Sequence, residues 1–161
     1  ALLYANGKIV SSGAHEYFGG PHAEVNCIDK ADPDIKKEDL TLFCTLEPCN
    51  HTGKTPPCTE KIISSGIKKI VIGVVDPNPL VSGQGIKRLQ DAGIDVTVGV
   101  LEEEIKSSNK FYFFKHENKR PFVTIKIAQT MDWVLLYVCV QQKALQPLPL
   151  VFLNPLFFRK F

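Results

Sequence analysis

The sequence lacks the excess of positive charge that nucleic-acid-binding proteins carry. Its 19 basic and 17 acidic residues give a formal charge of only +2. No acidic residue follows Trp133, and the charged residues beyond it are Lys143, Arg159 and Lys160. Removing these three from the total leaves 16 basic residues against 17 acidic ones, so we expect no nucleic-acid partner.

The sequence also lacks a run of apolar residues long enough to cross a membrane. The stretch 133–161 is rich in large apolar residues, but Gln141-Gln142-Lys143 and three prolines interrupt it. A membrane-spanning helix needs about 20 consecutive, predominantly apolar residues. We therefore expect no membrane association. Because the stretch follows neither a helical nor a strand period, we predict that it packs poorly.

A secretory signal segment, internal repeats and low-complexity segments are absent too. The five cysteines are an odd number. Without a secretory signal, an odd number favours a reducing compartment, here the cytoplasm, over a disulfide framework. With 161 residues, of which 44% are hydrophobic, the chain is long enough to bury one sizeable core.

What the sequence does contain is a dense polar motif between Thr45 and Cys58. It reads T-L-E-P-C-N-H-T-G-K-T-P-P-C. It follows an alternating apolar run, Leu40 to Leu46, that predicts a strand. Each of its two cysteines, Cys49 and Cys58, follows a proline at the predicted opening of a helix.

The second of these helices has clear boundary signals. They predict an N-cap at Thr55, the first helical position at Pro56 and a stop at Gly66. A thiol in the first turn of a helix feels the positive end of the backbone dipole, which favours the thiolate that a metal ion binds. The motif therefore predicts a metal site with cysteine ligands.

An H-x-E sequence upstream, His22-Ala23-Glu24, supplies the groups that such a site still needs. His22, Cys49 and Cys58 would be three zinc ligands that leave the fourth tetrahedral position open, as in a catalytic site. Zinc lowers the pKa of water toward neutrality, and Glu24 would move the proton instead of binding metal. Zinc-dependent base deaminases divide the work in this way, although their second motif is P-C-x-x-C and this chain has P-C-x8-C.

Several of these residues also have purely structural interpretations. His22 could be a surface histidine that caps a helix, and Glu24 an acid that compensates a helix dipole. Cys27 and Cys44 fall on apolar faces, and we predict that both are core residues. Glu47 either orients a ligand through a hydrogen bond or faces solvent, and the sequence leaves both readings open.

The rest of the chain alternates between strand and helix patterns. Asn6-Gly7 predicts a tight turn between two short strands. A first helix is expected from about His22 to Ile28, and polar residues then form a loop. The later predicted elements are a strand at Ile67–Val75, a helix at Ile86–Ala92, a strand at Ile94–Val100, a helix from Leu101 to about Lys115, a polar linker at His116–Lys119 and a strand from Arg120.

The longer motifs resemble one family. H-A-E, the motif between Thr45 and Cys58, D-P-N-P-L-V-S-G-Q-G-I and A-G-I-D-V stand in the order and spacing of the deaminase domain of the bifunctional riboflavin-biosynthesis enzyme. The likeness covers about Ala1 to Asp132. It implies an α/β fold with three layers (α/β/α, cytidine deaminase-like, with a mixed central sheet), a Zn2+ cofactor and the hydrolytic loss of a pyrimidine 2-amino group. The implied substrate is a small phosphorylated pyrimidine, 2,5-diamino-6-ribosylamino-4(3H)-pyrimidinone 5′-phosphate.

Four polar residues are candidates for binding that substrate. His51 and Lys54 lie between the two cysteines, carry donors suited to a phosphate or a carbonyl, and belong by resemblance to the family's substrate-binding set. Asp76 and Asn78 follow a predicted buried strand, a position that often lines a site in an α/β sheet. Turn chemistry explains these last two at least as well.

The resemblance also divides the chain. Residues 1–117 are predicted to be the deaminase domain and 118–132 the start of a reductase-like domain, because R-P-F-V-T-I-K-I-A-x-x-M-D opens the family's nicotinamide-dependent reductase. Residues 133–161 are predicted to be an atypical apolar tail, foreign to the family. Since the family has an earlier helix and a T-S-P-N-P-x-V-G-like segment before this sequence begins, we expect a fragment truncated at both ends, without reductase activity.

Other functions remain open at this level. The chain could deaminate another base or nucleoside, such as cytosine, guanine or adenosine. It could also be a catalytically impaired, zinc-stabilised fragment that serves in an interaction. The aromatic run Phe111–Phe114 indicates core packing or a dimer contact, so a homo-oligomer also stays open.

Overall fold

The computed structural model describes residues 1–79, 81–129, 135–143 and 151–152. The chain divides into two compact units, Ala1–Ser108 and Asn109–Phe161. The functional domains predicted at 1–117, 118–132 and 133–161 are a separate matter and stay predictions. Among the described residues, no helix is both long and apolar enough to pass through a membrane.

The first unit begins with a hairpin of β1 and β2. The turn between them contains Asn6 at φ 51° and Gly7 at φ 79°. Two consecutive positive φ angles are the signature of the tight hairpin turn that Asn-Gly favours, so that prediction is confirmed. The elements of this unit are β1 (Leu2–Ala5), β2 (Lys8–Ser12), α1 (Ala23–Asp29), a 3-10 turn (Lys37–Asp39), β3 (Thr41–Leu46), α2 (Cys58–Ser65), β4 (Lys69–Val74), α3 (Gln84–Asp91), β5 (Asp95–Val98) and α4 (Glu102–Ser108).

These strands form one mixed sheet in the order β2-β1-β3-β4-β5. β1 is antiparallel to β2 and β3, whereas β3, β4 and β5 run parallel. In the β3–β4 register Leu42 is opposite Ile70 and Leu46 is opposite Val74. The carboxyl ends of both strands therefore reach the same edge of the sheet, where ligands of open α/β sheets commonly bind.

One face of the sheet packs against the first three helices. Its strand residues alternate with those of the other face, and its core includes Leu42 and Ile72, both fully buried. Cys27 of α1, Ile62 of α2 and Leu89 of α3 are buried in the same core. Cys27 and Cys44 are 0% and 5% exposed, so their prediction as core residues is confirmed.

Helix α4 packs on the opposite face. A Cβ atom at Gly73 of β4 would collide with the Cδ1 atom of Ile105, a residue of α4. Because Gly73 and its neighbour Ile72 point to opposite faces, helices cover both sides of the sheet. The predicted three-layer α/β/α arrangement with a mixed central sheet is therefore confirmed.

The second unit contains α5 and a small antiparallel sheet. Phe111 and Phe114 of α5 pack edge-on against Phe122, with ring centroids 4.9 and 5.2 Å away. Phe113 is buried, as core packing predicts, whereas Phe111, Tyr112 and Phe114 are half-buried. The elements of this unit are α5 (Lys110–Asn118), β6 (Phe122–Gln129), β7 (Leu135–Lys143) and β8 (Val151–Phe152), in the sheet order β6-β7-β8.

Two sequence predictions about this region are wrong in detail. The single helix expected from Leu101 to Lys115 is interrupted, because Asn109 leaves the helical conformation at φ −110° and ψ 26°. The polar linker expected at His116–Lys119 is mostly helical, and α5 ends only where Lys119 takes a left-handed φ of 52°. The predicted poor packing of 133–161 concerns side chains outside the described residues.

Candidate metal centre

Three separate segments deliver the candidate ligands. His22 is the N-cap residue of α1, Cys49 lies in the loop after β3, and Cys58 is the first residue of α2. The sequence prediction that both cysteines open helices is wrong for Cys49, which lies in irregular chain. The helix dipole therefore favours a thiolate only at Cys58.

The start of α2 also differs from the prediction. Pro57, and not Thr55, occupies the N-cap position. The helix begins at Cys58, two residues after the predicted first helical residue, Pro56. A residue that precedes proline is disfavoured in the helical conformation, so Pro56 cannot serve as the first helical residue before Pro57. The predicted stop is confirmed, because Gly66 takes a left-handed φ of 82°.

The ligand atoms of His22, Cys49 and Cys58 converge. All three lie within 4.8 Å of one another, with His22 Nδ1 3.2 Å from Cys58 Sγ and 3.5 Å from Cys49 Sγ. Around a tetrahedral zinc ion with bonds of about 2.0 Å to nitrogen and 2.3 Å to sulfur, neighbouring ligand atoms stand about 3.5–3.8 Å apart. The donor set and its spacing therefore fit zinc. In the described part of the chain it is the one such group of ligating side chains.

The two thiol groups shift each other's pKa in opposite directions. A hydrogen bond from Cys58 lowers the pKa of the Cys49 thiol to about 5, helped by the Cys58 backbone N–H at 3.4 Å from Cys49 Sγ. The same contact with Cys49, together with burial, raises the pKa of Cys58 far above its usual range. A divalent cation would favour the thiolate form of both cysteines at once.

Glu24 lies directly beside the cluster without belonging to it. It is in the first turn of α1, two residues after His22, and its Oε2 atom is 3.6 Å from Cys58 Sγ. Burial raises the pKa of its carboxyl group. A carboxylate with a raised pKa next to a metal site is suited to taking up and releasing a proton.

Hydrogen bonds fix the segment that leads into α1. Asn26 Nδ2 donates to the carbonyl oxygens of Ala14 at 2.8 Å and Pro21 at 3.3 Å, and its backbone N–H bonds to His22 O at 3.1 Å. The His15 ring meets the His22 ring edge-on at 5.3 Å. These contacts restrict how the His22 imidazole can turn.

A second set of hydrogen bonds ties the two sulfur-bearing segments together. The Thr59 N–H donates to Cys49 O at 3.2 Å, and Thr59 Oγ1 donates to Asn50 Oδ1 at 2.8 Å. Thr59 is fully buried, whereas Asn50 is half-buried. The first turn of α2 therefore holds the Cys49 loop in register with Cys58.

The loop between the two cysteines is exposed. His51 and Lys54 both lie at the surface. Lys54 Nζ sits 3.8 Å above the centroid of the Phe18 ring, and Phe18 is itself 62% exposed. The sequence did not predict this cation–π contact, since Phe18 belongs to no recognisable motif and lies far from Lys54 in the chain.

Asp76 and Asn78 lie in the turn after β4, outside the three-residue cluster. Asp76 is 7% exposed, and its Oδ1 atom accepts a hydrogen bond from the Asn78 N–H at 2.8 Å. The Asn78 carbonyl accepts bonds from the N–H groups of Val81 and Ser82. Both residues thus take part in turn chemistry, and a substrate contact for either stays a prediction.

Glu47 neither faces solvent nor orients a ligand, the two interpretations that the sequence left open. Its side chain is 3% exposed, so it does not face solvent. Instead of orienting a ligand side chain, its carboxylate accepts hydrogen bonds from backbone N–H groups in the segment that follows β4. Those donors are Asp76, Gly83, Gly85 and Ile86.

The chain that carries this site is similar to known proteins in sequence and in structure. Residues 1–74 match the family model described as the cytidine and deoxycytidylate deaminase zinc-binding region. That range contains all three converging ligands and Glu24. The candidate metal site therefore lies in a stretch that resembles the zinc-binding region of these deaminases.

Full-length relatives extend the deaminase likeness beyond residue 74. Riboflavin biosynthesis protein RibD of Aquifex aeolicus is 50% identical over 132 residues, which is 82% of this chain and 36% of that protein. Riboflavin biosynthesis protein PYRD, chloroplastic, of Arabidopsis thaliana is 43% identical over 84% of this chain and 31% of its own length. The chain thus spans about a third of the length of these relatives.

A solved structure agrees with the fold. It comes from Thermotoga maritima and is described as a diaminohydroxyphosphoribosylaminopyrimidine deaminase/5-amino-6-(5-phosphoribosylamino)uracil reductase. It is 50% identical, covers 81% of this chain and 38% of that one, and gives a TM-score of 0.71. The predicted resemblance, the cytidine deaminase-like fold and the zinc cofactor are therefore confirmed.

Proposed function

We propose that this chain is a zinc-dependent hydrolytic deaminase of a phosphorylated pyrimidine in riboflavin biosynthesis. The observation that carries the proposal is the convergence of His22, Cys49 and Cys58 within 4.8 Å, with the Glu24 carboxylate beside them. This arrangement lies within a matched zinc-binding deaminase region, and the relatives are named as riboflavin biosynthesis proteins. The proposed substrate is 2,5-diamino-6-ribosylamino-4(3H)-pyrimidinone 5′-phosphate.

In this proposal His22, Cys49 and Cys58 hold the ion, and Glu24 moves the proton. Bound zinc supplies Lewis acidity that lowers the pKa of water toward neutrality. The Glu24 carboxylate takes a proton from the water that attacks the amine-bearing ring carbon. It then delivers that proton to the departing nitrogen, so the ring carbon gains an oxygen and ammonia leaves. The raised pKa of Glu24 brings its proton affinity closer to that of a group that must accept and donate in one cycle.

Substrate recognition is assigned to the exposed loop and to the turn after β4. Lys54 and His51 carry donors that can bind the phosphate or a ring carbonyl, and both are accessible at the surface. Asp76 and Asn78 are proposed to contact the substrate from the end of β4. The parallel register of β3 and β4 supports this assignment, because it brings the two strand ends to one edge of the sheet.

The proposal covers residues 1–117 as the deaminase domain. Residues 118–132 are proposed to be the start of a reductase-like domain and 133–161 an atypical tail. The four described cysteines are free thiols, which supports a reducing compartment such as the cytoplasm. The proposed partner is a small molecule, with no nucleic acid involved.

An ammonia-release assay tests this proposal. The purified chain, loaded with zinc, is offered the riboflavin-pathway pyrimidine and, separately, cytosine, guanine and adenosine. Ammonia is expected only with the first. Release with another amine would move the chain to a different substrate, and bound zinc without release from any of them would favour a catalytically impaired fragment.

A further inference from the structure

Glu47 is the most extensively hydrogen-bonded acid that the structure describes, and the proposed mechanism does not use it. It directly follows the last residue of β3 and lies two residues before Cys49. Its own N–H donates to Val74 O at 3.0 Å. Its carboxylate accepts four backbone N–H groups. Oε2 accepts from Asp76 at 3.2 Å and Gly83 at 2.9 Å, and Oε1 accepts from Gly85 at 2.8 Å and Ile86 at 3.2 Å.

These donors come from two neighbouring stretches of the chain. Gly85 and Ile86 are in the first turn of α3, where backbone N–H groups have no partner within the helix. Asp76 and Gly83 belong to the turn that connects β4 to that helix. We call residues 76–79 and 81–86 the β4–α3 connection. One side chain therefore ties both ends of this connection to the strand that leads to Cys49.

The packing at Gly85 shows how closely the two segments approach. A Cβ atom at this position would collide with the carbonyl oxygen of Pro48 and would stand 3.1 Å from Glu47 Oε1. Gly85 is buried, as are Pro48 and Glu47. The start of α3 thus rests directly on the residue that precedes the metal-binding Cys49.

We propose that Glu47 is a positioning residue that fixes the β4–α3 connection beside the metal-bearing loop. In this role it holds Asp76 and Asn78 at the sheet edge where the Cys49 loop begins. The inference rests on the proposed function, in which Asp76 and Asn78 bind the substrate. Glu47 itself touches neither the ion nor the reacting atoms, and it acts on substrate affinity through the backbone.

The variant Glu47→Gln removes the carboxylate at almost constant volume. An amide has one oxygen that accepts hydrogen bonds and one nitrogen that can only donate, so two of the four N–H groups would face a donor. Hydrogen exchange measured on the zinc-loaded chain should therefore be at least tenfold faster at the amides of Asp76, Gly83, Gly85 and Ile86. The amides inside β3 and β4 should keep their protection.

Kinetics separate positioning from a general loss of structure. Glu47→Gln should keep one zinc per chain, raise KM for the pyrimidine phosphate at least tenfold and leave kcat within about threefold. Glu103→Gln is the matched control, since that glutamate side chain is 88% exposed and the exchange of groups is the same. It should change neither exchange nor KM. Glu47→Asp keeps the carboxylate on a shorter side chain, so it should give smaller changes in both, even if Glu47→Gln does not fold.

Any other result would contradict one specific part of the proposal. Unchanged exchange in the β4–α3 connection, in Glu47→Gln or Glu47→Asp, would show that the carboxylate does not hold it. Faster exchange with an unchanged KM would leave Glu47 a structural residue only, and lost zinc with a reduced kcat would place it in the metal site. Binding of the pyrimidine phosphate by wild type without ammonia release would overturn only the proposed function. If wild type does not bind the compound at all, both proposals are wrong.

Discussion

The metal cluster and the exposed loop share one stretch of chain but are held in different ways. His22 and Cys58 stand at the starts of helices, and hydrogen bonds from Thr59 join the Cys49 segment to α2. Lys54, between the two cysteines, is at the surface, where its ammonium group lies over the Phe18 ring. We infer that the scaffold holds the residues of the proposed chemical step in place. Substrate recognition instead depends on an exposed loop that can adapt to its ligand.

The largest expected effect comes from removing a ligand of the cluster. Cys58→Ala takes away one of two thiolates, so the chain should lose its zinc on dialysis and release no measurable ammonia. Zinc is measured by metal analysis of the dialysed protein. The matched control is Cys44→Ala, which also removes a buried thiol but not a proposed ligand. Stoichiometric zinc in Cys58→Ala would refute this residue as a ligand.

The second-largest effect should distinguish the role of Glu24 from that of the metal ligands beside it. Glu24→Gln keeps the shape of the side chain but cannot carry the proton, so kcat should fall by about 10²- to 10⁴-fold while one zinc per chain is retained. Ammonia release and metal content are measured on the same preparation. Glu60→Gln, on the surface at the first turn of α2, should behave as wild type. Loss of zinc in Glu24→Gln would contradict its assignment as a proton carrier.

The exposed loop should show an effect on binding and not on chemistry. Lys54→Met retains most of the apolar side chain but removes the charge. Because a hydrogen bond to a charged group is worth about 1.5–3 kcal/mol, KM for the phosphorylated substrate should rise about 10- to 100-fold with kcat nearly unchanged. Lys61→Met is the control, because it removes a lysine of α2 that is paired with Asp29 of α1. A fall in kcat with constant KM would place Lys54 in the chemical step.

The smallest effect concerns the ring that supports this lysine. An exposed cation–π contact is worth roughly 0.5–1 kcal/mol, so Phe18→Leu should raise KM by about 2- to 5-fold. Tyr17→Leu removes an equally exposed aromatic ring that does not lie over Lys54. Steady-state kinetics of both variants give the comparison. Equal effects of the two substitutions would show that the contact with Lys54 has no special part.

The sequence was most informative where chemistry constrains residue type. H-x-E and two proline-preceded cysteines were enough to predict that His22, Cys49 and Cys58 meet, because few other arrangements give such residues a common use. Apolar runs and the Asn-Gly turn also predicted the strands of the sheet. Each of these signals is local, so a short stretch of sequence is enough to recognise it.

The sequence was least informative where distant backbone groups meet a side chain. Nothing near Glu47 indicates that its partners lie 29 to 39 positions later. Gly85 offered the one available signal, since a glycine at the start of a helix often marks a close backbone approach. The contact of Phe18 with Lys54 and the helix break at Asn109 likewise depend on tertiary packing, which single-residue preferences do not report.

X-ray absorption at the zinc edge of the purified wild-type chain tests the central claim most directly. The account predicts two sulfur atoms at about 2.3 Å and two nitrogen or oxygen atoms at about 2.0–2.1 Å, from Cys49, Cys58, His22 and one water. In Glu24→Gln this pattern should remain unchanged. A coordination shell with four sulfur atoms, or with none, would contradict the account.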